Sequence, residues 1–79
     1  MKVLEERQKT YGDFEKLAAR KRLIRQAVGN MPTAAMTEAL SQICTKLARI
    51  SHTPKHVDSW RDIAGYATLI VNILEKENE

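Results

Sequence analysis

Asp58 and Asp62 stand four residues apart in a stretch of helical pattern, so both carboxylates share one face, one turn apart. Like charges so placed repel each other unless a cation, an Arg or a Lys lies between them. Mg²⁺ is one such cation, because it takes oxygen ligands and is often held by one or two carboxylates plus phosphates. The plainer reading is that Asp58 caps the helix and complements its positive end, with Asp62 paired to an Arg. On the preceding helical stretch, Glu38, Gln42, Thr45 and Arg49 line one side, with Lys46 at its edge. That row reads either as a solvated face or as a mixed site, with Glu38 for a metal and Lys46 and Arg49 for phosphate. Both basic groups also lie near the helix C-terminus, where cations are favoured in any case.

Other reactive residue types form no recognisable machinery. Lys16, Arg20, Lys21, Arg22 and Arg25 give a basic stretch that could follow a phosphate backbone. No aromatic residues interleave it and no nucleic-acid motif surrounds it, so a solvated face is the better reading and nucleic acid the weaker partner. His52 and His56 flank a loop containing Pro54, so the helical i, i+4 metal argument fails for them. Cys44 is the only cysteine, which excludes a disulfide within the chain and a cysteine zinc site. Its place beside an apolar seam suits a small buried hydrophobe. No Ser-His-Asp order, P-loop or Gly-rich phosphate motif is present.

The elements that must position these groups are helices. With 79 residues the chain is expected to be a single domain over 1–79. Two Pro and three Gly leave few breaks, which favours long helices. Residues 2–10 read as a short helix. The turn Thr10-Tyr11-Gly12-Asp13 follows, and Asp13 suits an N-cap for a helix over 14–28. Gly29-Asn30 is a stop signal with Pro32 beyond it. Thr33 can cap a helix over 34–50, whose Met36, Leu40, Ile43, Leu47 and Ile50 step by four, three, four and three. After a loop over 51–55, the last helix runs from 57 or 58 to about 76.

At about 100° per residue, Trp60, Ile63, Ala67, Ile70 and Leu74 of this last helix fall on one side. Tyr66, Leu69 and Ile73 fall on the other, with Asp58, Asp62 and Gly65. A helix apolar on both sides is usually buried on both. Gly65 costs about 1 kcal/mol of helix propensity against Ala, which is understandable if another backbone comes close. The expected fold is therefore all-α, a small bundle of about four helices completed by homo-oligomerisation through Gly65, Tyr66, Leu69 and Ile73. The bland alternative has Leu69 and Ile73 covering the N-terminal helix. The expected core comprises Phe14, Leu17, Ile24, Leu40, Ile43, Leu47, Trp60, Ile63, Ala67, Ile70 and Leu74.

No apolar run reaches the roughly 18 residues of a membrane span. Met1-Lys2-Val3-Leu4-Glu5-Glu6 lacks an apolar signal core. The expectation is a cytoplasmic protein without a membrane partner. A net charge of +3 is too small to name a partner.

One set of residues carries a likeness. Leu4-Glu5-Glu6-Arg7, Lys9-Thr10-Tyr11-Gly12-Asp13-Phe14, Glu38-Ala39-Leu40, Lys46-Leu47-Ala48-Arg49-Ile50 and Asp58-Ser59-Trp60-Arg61-Asp62-Ile63-Ala64-Gly65-Tyr66-Ala67 occur in that order. Together they resemble a family of small proteins, mostly from phages and prophages, whose function is unassigned. The last block is the specific part. More distantly the pattern is similar to MazG-type all-α nucleotide pyrophosphohydrolases, which hold Mg²⁺ on acidic residues of two neighbouring helices and work as oligomers. The resemblance implies a metal set of Glu38, Asp58 and Asp62, with Lys46 and Arg49 facing the phosphates and the Tyr11-Gly12 turn nearby. Charged groups recur on the sides of these two helices away from their apolar seams, so Glu38, Lys46, Arg49, Asp58, Asp62 and Tyr66 are expected to converge in one polar pocket, with Tyr66 at the ligand. The chain departs from the pattern at Ser41, where an Asp is usual, and at Thr45, where a His is usual. Gln42 also stands where the enzymes carry a second glutamate. Three carboxylates are few for two-metal hydrolysis. The resemblance thus implies an accessory protein that binds a nucleotide or related phosphorylated ligand with little catalysis, in a host bacterial cytoplasm. A Mg²⁺-dependent pyrophosphohydrolase is the second expectation. The third is an interaction protein that inhibits a host factor through its basic 14–28 helix.

Overall fold

The computed structural model describes residues 13–78, and they form three α-helices with no strand among them. We label them α1 (Phe14–Val28), α2 (Ala34–His52) and α3 (Val57–Glu77). The expected helix over 2–10 lies outside the described residues, so three helices stand where about four were expected. The three long helices fall where the pattern places them, with α2 two residues longer than expected.

Each helix end has a local cause. The Asp13 carboxylate accepts from the Glu15 and Lys16 amides at 2.9 and 3.3 Å and so caps α1. Gly29 ends α1 at φ 87°, a left-handed conformation in which a side chain would be strained. The Arg25 guanidinium donates back to the Gly29 carbonyl there. The Thr33 hydroxyl accepts from the Met36 amide at 3.1 Å and opens α2. At α3 the cap differs from the sequence reading: it is His56, whose Nδ1 accepts from the Ser59 amide at 3.3 Å. Nδ1 also lies 2.8 Å from Ser59 Oγ. Asp58 sits inside the first turn, where its charge still favours the helix.

Helices α1 and α3 each pack on α2 and not on each other. Small residues let them come close. Ala39, Cys44, Ala48 and Ile50 of α2 are the buried apolar residues, and Cys44 is completely enclosed, as its place beside the seam suggests. Thr45 and Ala48 border a hollow with Phe14, Leu17, Ala18 and Lys21 of α1. Arg20 Nη1 donates to Ser51 Oγ at 2.7 Å across the same junction. Ala35 and Ala39 meet Tyr66, Ile70 and Ile73 of α3 around a second hollow.

The expected core needs correction. Leu17, Ile24, Leu40, Ile43, Leu47, Ile63 and Ile70 are only half-buried. Phe14, Trp60, Leu74 and Ala67 are exposed, Phe14 to 77%. The reason is the rotation of α3. It turns Ser59, Ile63, Tyr66 and Ile70 towards α2, so the Trp60–Ala67–Leu74 line points outwards. With α1 and α3 on separate sides of α2, neither of the other two described helices covers that line.

Ala48 of α2 is buried to 1% exposure beside α1. Replacing it by Leu is expected to cost about 1–3 kcal/mol through overpacking, read as a lower urea midpoint. Leu at Ala27, which is exposed on α1, is expected to leave the midpoint within about 0.5 kcal/mol.

Candidate functional site

Four of the six residues singled out for chemistry lie along the junction of α2 and α3. Lys46 projects from α2 and its Nζ lies 3.1 Å from Asp62 Oδ2 on α3. The lysine side chain is 13% exposed and the aspartate 50%. The ammonium is therefore largely withdrawn from water and neutralised by Asp62, which holds the two helices in register. Two turns earlier on α2, Glu38 Oε1 accepts from Gln42 Nε2 at 3.0 Å. Tyr66 connects the two groups. It lines one hollow with Glu38 and another with Asp62, Arg61 and Gly65.

The other two residues lie elsewhere. Asp58 pairs with Arg61 along α3 at 3.5 Å, with both side chains 75% exposed, so this contact adds little. Arg49 borders the hollow between α1 and α2 with Phe14 and Lys21, away from the Asp62 pair. The expected pairing of Asp62 with an arginine is replaced by the pairing with Lys46. The row Glu38, Gln42, Thr45 and Arg49 thus divides: Glu38 serves the α3 side, whereas Thr45 and Arg49 serve the α1 side.

Among the described residues no three His, Cys, Asp or Glu side chains are gathered as a metal ion would need. Glu38, Asp58 and Asp62 each have a partner already, a glutamine, an arginine and a lysine in turn. This donor set does not fit a Mg²⁺ ion held by the chain alone.

The larger hollow is a groove of about 490 Å³, within the range of small-molecule sites. Its walls are mostly apolar: Ala35 and Ala39 from α2, and Leu69, Ile70 and Ile73 from α3. Glu38 and Lys76 bring one carboxylate and one ammonium to it. Leu69 and Ile73 are 57% and 40% exposed, so the described residues leave the groove open. Gly65 lies beside it, and a Cβ there would meet no atom within 4 Å. The surface expected as an interface, Gly65, Tyr66, Leu69 and Ile73, is therefore open.

Three contributors went unseen in the sequence. Lys76 sits on the last turn, where a basic residue is expected for the helix dipole alone. Trp60 donates its indole N–H to the Pro54 carbonyl at 2.8 Å, a bond across six residues that no helical spacing signals. His56 and Ser59 form a capping pair at i, i+3, a spacing visible in His56-Val57-Asp58-Ser59 had histidine been considered as a cap.

No helix among the described residues is long and apolar enough to cross a membrane. Replacing Lys46 by Met and Asp62 by Asn, singly and together, tests the junction. Urea unfolding should give a coupling of about 0.2–1 kcal/mol that shrinks as salt is raised. Zero coupling at low salt would mean that the pair holds nothing.

No curated protein and no solved structure matches the chain. The family model described as Domain of unknown function (DUF6378) matches residues 1–74, and the chain belongs to that family.

Proposed function

We propose that the protein is an accessory factor that binds a phosphorylated small molecule, a nucleotide above all, in the groove between α2 and α3. The observation that carries this reading is the position of Tyr66, which faces both the apolar groove with Glu38 and Lys76 and the hollow with Asp62. Polar groups therefore meet an apolar slot along one face. A base fits against Tyr66, Leu69 and Ile73, and an anionic group fits near the Lys76 ammonium. The likeness to phage and prophage proteins supports the choice of a nucleotide and a bacterial host cell. Homo-oligomerisation fits the same reading, because apolar residues at the groove, Leu69 and Ile73, are left exposed.

Catalysis finds less support. Asp62 is neutralised by Lys46, and the carboxylates are dispersed. In this reading Mg²⁺ arrives with the nucleotide phosphates, as their counterion. Inhibition of a host protein through α1 has one observation in its favour. Leu23 is 67% exposed and borders a hollow with Arg22, an apolar residue beside positive charge.

Calorimetric titration with nucleoside mono- and triphosphates, with and without Mg²⁺, tests the proposal. Binding is expected in the micromolar to millimolar range, and Lys76→Gln should weaken a triphosphate roughly 10-fold or more, as loss of one charge-assisted contact implies. Ile73→Asp should abolish it while circular dichroism keeps its helical signal. Release of pyrophosphate would make the protein an enzyme. No heat with any nucleotide would sink the proposal, and charge reversal at Arg20, Lys21 and Arg25 would then ask whether α1 captures a host protein.

A further inference from the structure

A second apolar line runs along α3, on a different side from the groove. Val57, Trp60, Ala64, Ala67, Val71 and Leu74 step by three, four, three, four and three, a heptad seam. In the folded chain all six are exposed, with Val57, Trp60 and Val71 at 56%, 51% and 49%. We propose that this seam is the docking surface for a second copy of the chain, with the two α3 helices packed antiparallel about a two-fold axis.

The spacing itself selects that partner. In an antiparallel pair each a position faces a d position of the other helix. Val57 then meets Leu74, Trp60 meets Val71 and Ala64 meets Ala67, so all six residues find partners in one register. Bulky side chains fall at both ends and alanines at the centre, so the two helices approach closely at the axis and each Trp60 covers a Val71. A line that matches its own reverse is what an isologous two-fold interface requires.

Charge agrees with this register. Arg61 and Glu75 flank the seam on the same side of α3, and the two-fold brings Arg61 of one copy beside Glu75 of the other. The parallel arrangement would instead stack Trp60 on Trp60 and keep Arg61 and Glu75 apart, because e positions then face g positions. Trp60 is also ready as an anchor, because its bond to the Pro54 carbonyl holds the ring before any partner arrives.

The groove beside Leu69 and Ile73 stays open in this dimer, so the proposal stands independently of any ligand.

Analytical ultracentrifugation of the full chain from 5 to 200 μM, taken here as roughly the range in which small dimers form, is the test. The expected particle has twice the 9.0 kDa chain mass. Val71→Glu should weaken dimerisation by about 30-fold or more, whereas Asn72→Glu, one residue away on the polar side, should not. Arg61→Glu should weaken the dimer and the exchange Arg61→Glu with Glu75→Arg should restore it, a rescue that misfolding cannot imitate. A monomer at every concentration overturns the proposal. So does a dimer that survives Val71→Glu and is lost with Leu69→Lys, which would put the interface in the groove. Failure of the charge exchange to restore the dimer overturns the antiparallel register.

Discussion

Everything in this fold passes through α2. Among the described residues it is the helix that touches both of the others, so there α1 and α3 are held relative to each other by one set of side chains. Those side chains are small. Ala39, Cys44 and Ala48 let two helices approach one cylinder from different sides, and a larger residue at any of them would push a neighbour away. The gain is close packing along two narrow strips. The cost is that three helices arranged this way cannot enclose a common core, because α1 and α3 never meet.

That constraint explains the unusual distribution of apolar surface. Leucines and isoleucines that would be central in a closed bundle are half-buried here, and Trp60, Leu69 and Val71 are outside. Burying a Leu or Val side chain is worth about 1.5–3 kcal/mol, so this much exposed apolar surface leaves unused a large part of what a small domain needs. The same surface that weakens the isolated chain is what a ligand and a second copy would use. Stability and binding are then one problem, as linkage between folding and association requires.

The sequence was legible where causes are local. Caps at Asp13 and Thr33, the Gly29 stop and the three long helices follow from residue type and spacing alone. The burial of Cys44 followed from its place beside the seam. What was not legible was the rotation of α3. Trp60, Ile63, Ala67, Ile70 and Leu74 share a side, yet only Ile63 and Ile70 turn towards α2. A helix with apolar residues on several sides carries no internal signal for which side meets its neighbour. Ser59 and Tyr66, both polar at one end, lie on the packed side because His56 engages the first and the groove edge accommodates the second. The candidate site was legible in part for a similar reason. Spacing put Glu38, with Lys46 at its edge, on one side of its helix and Asp62 with Tyr66 on one side of the next, but the separation of Arg49 depended on which side of α2 receives α1.

The Lys46–Asp62 pair bears on function more than its modest strength suggests. A lysine that is 13% exposed has given up most of its water, and an aspartate at 3.1 Å is what makes that tolerable. Drawing Asp62 away to ligate a metal would leave the ammonium buried without a counter-charge. The pair therefore resists a bare cation at Asp62. The other two carboxylates are engaged separately, Asp58 by Arg61 and Glu38 by the Gln42 amide, which is why the three are scattered.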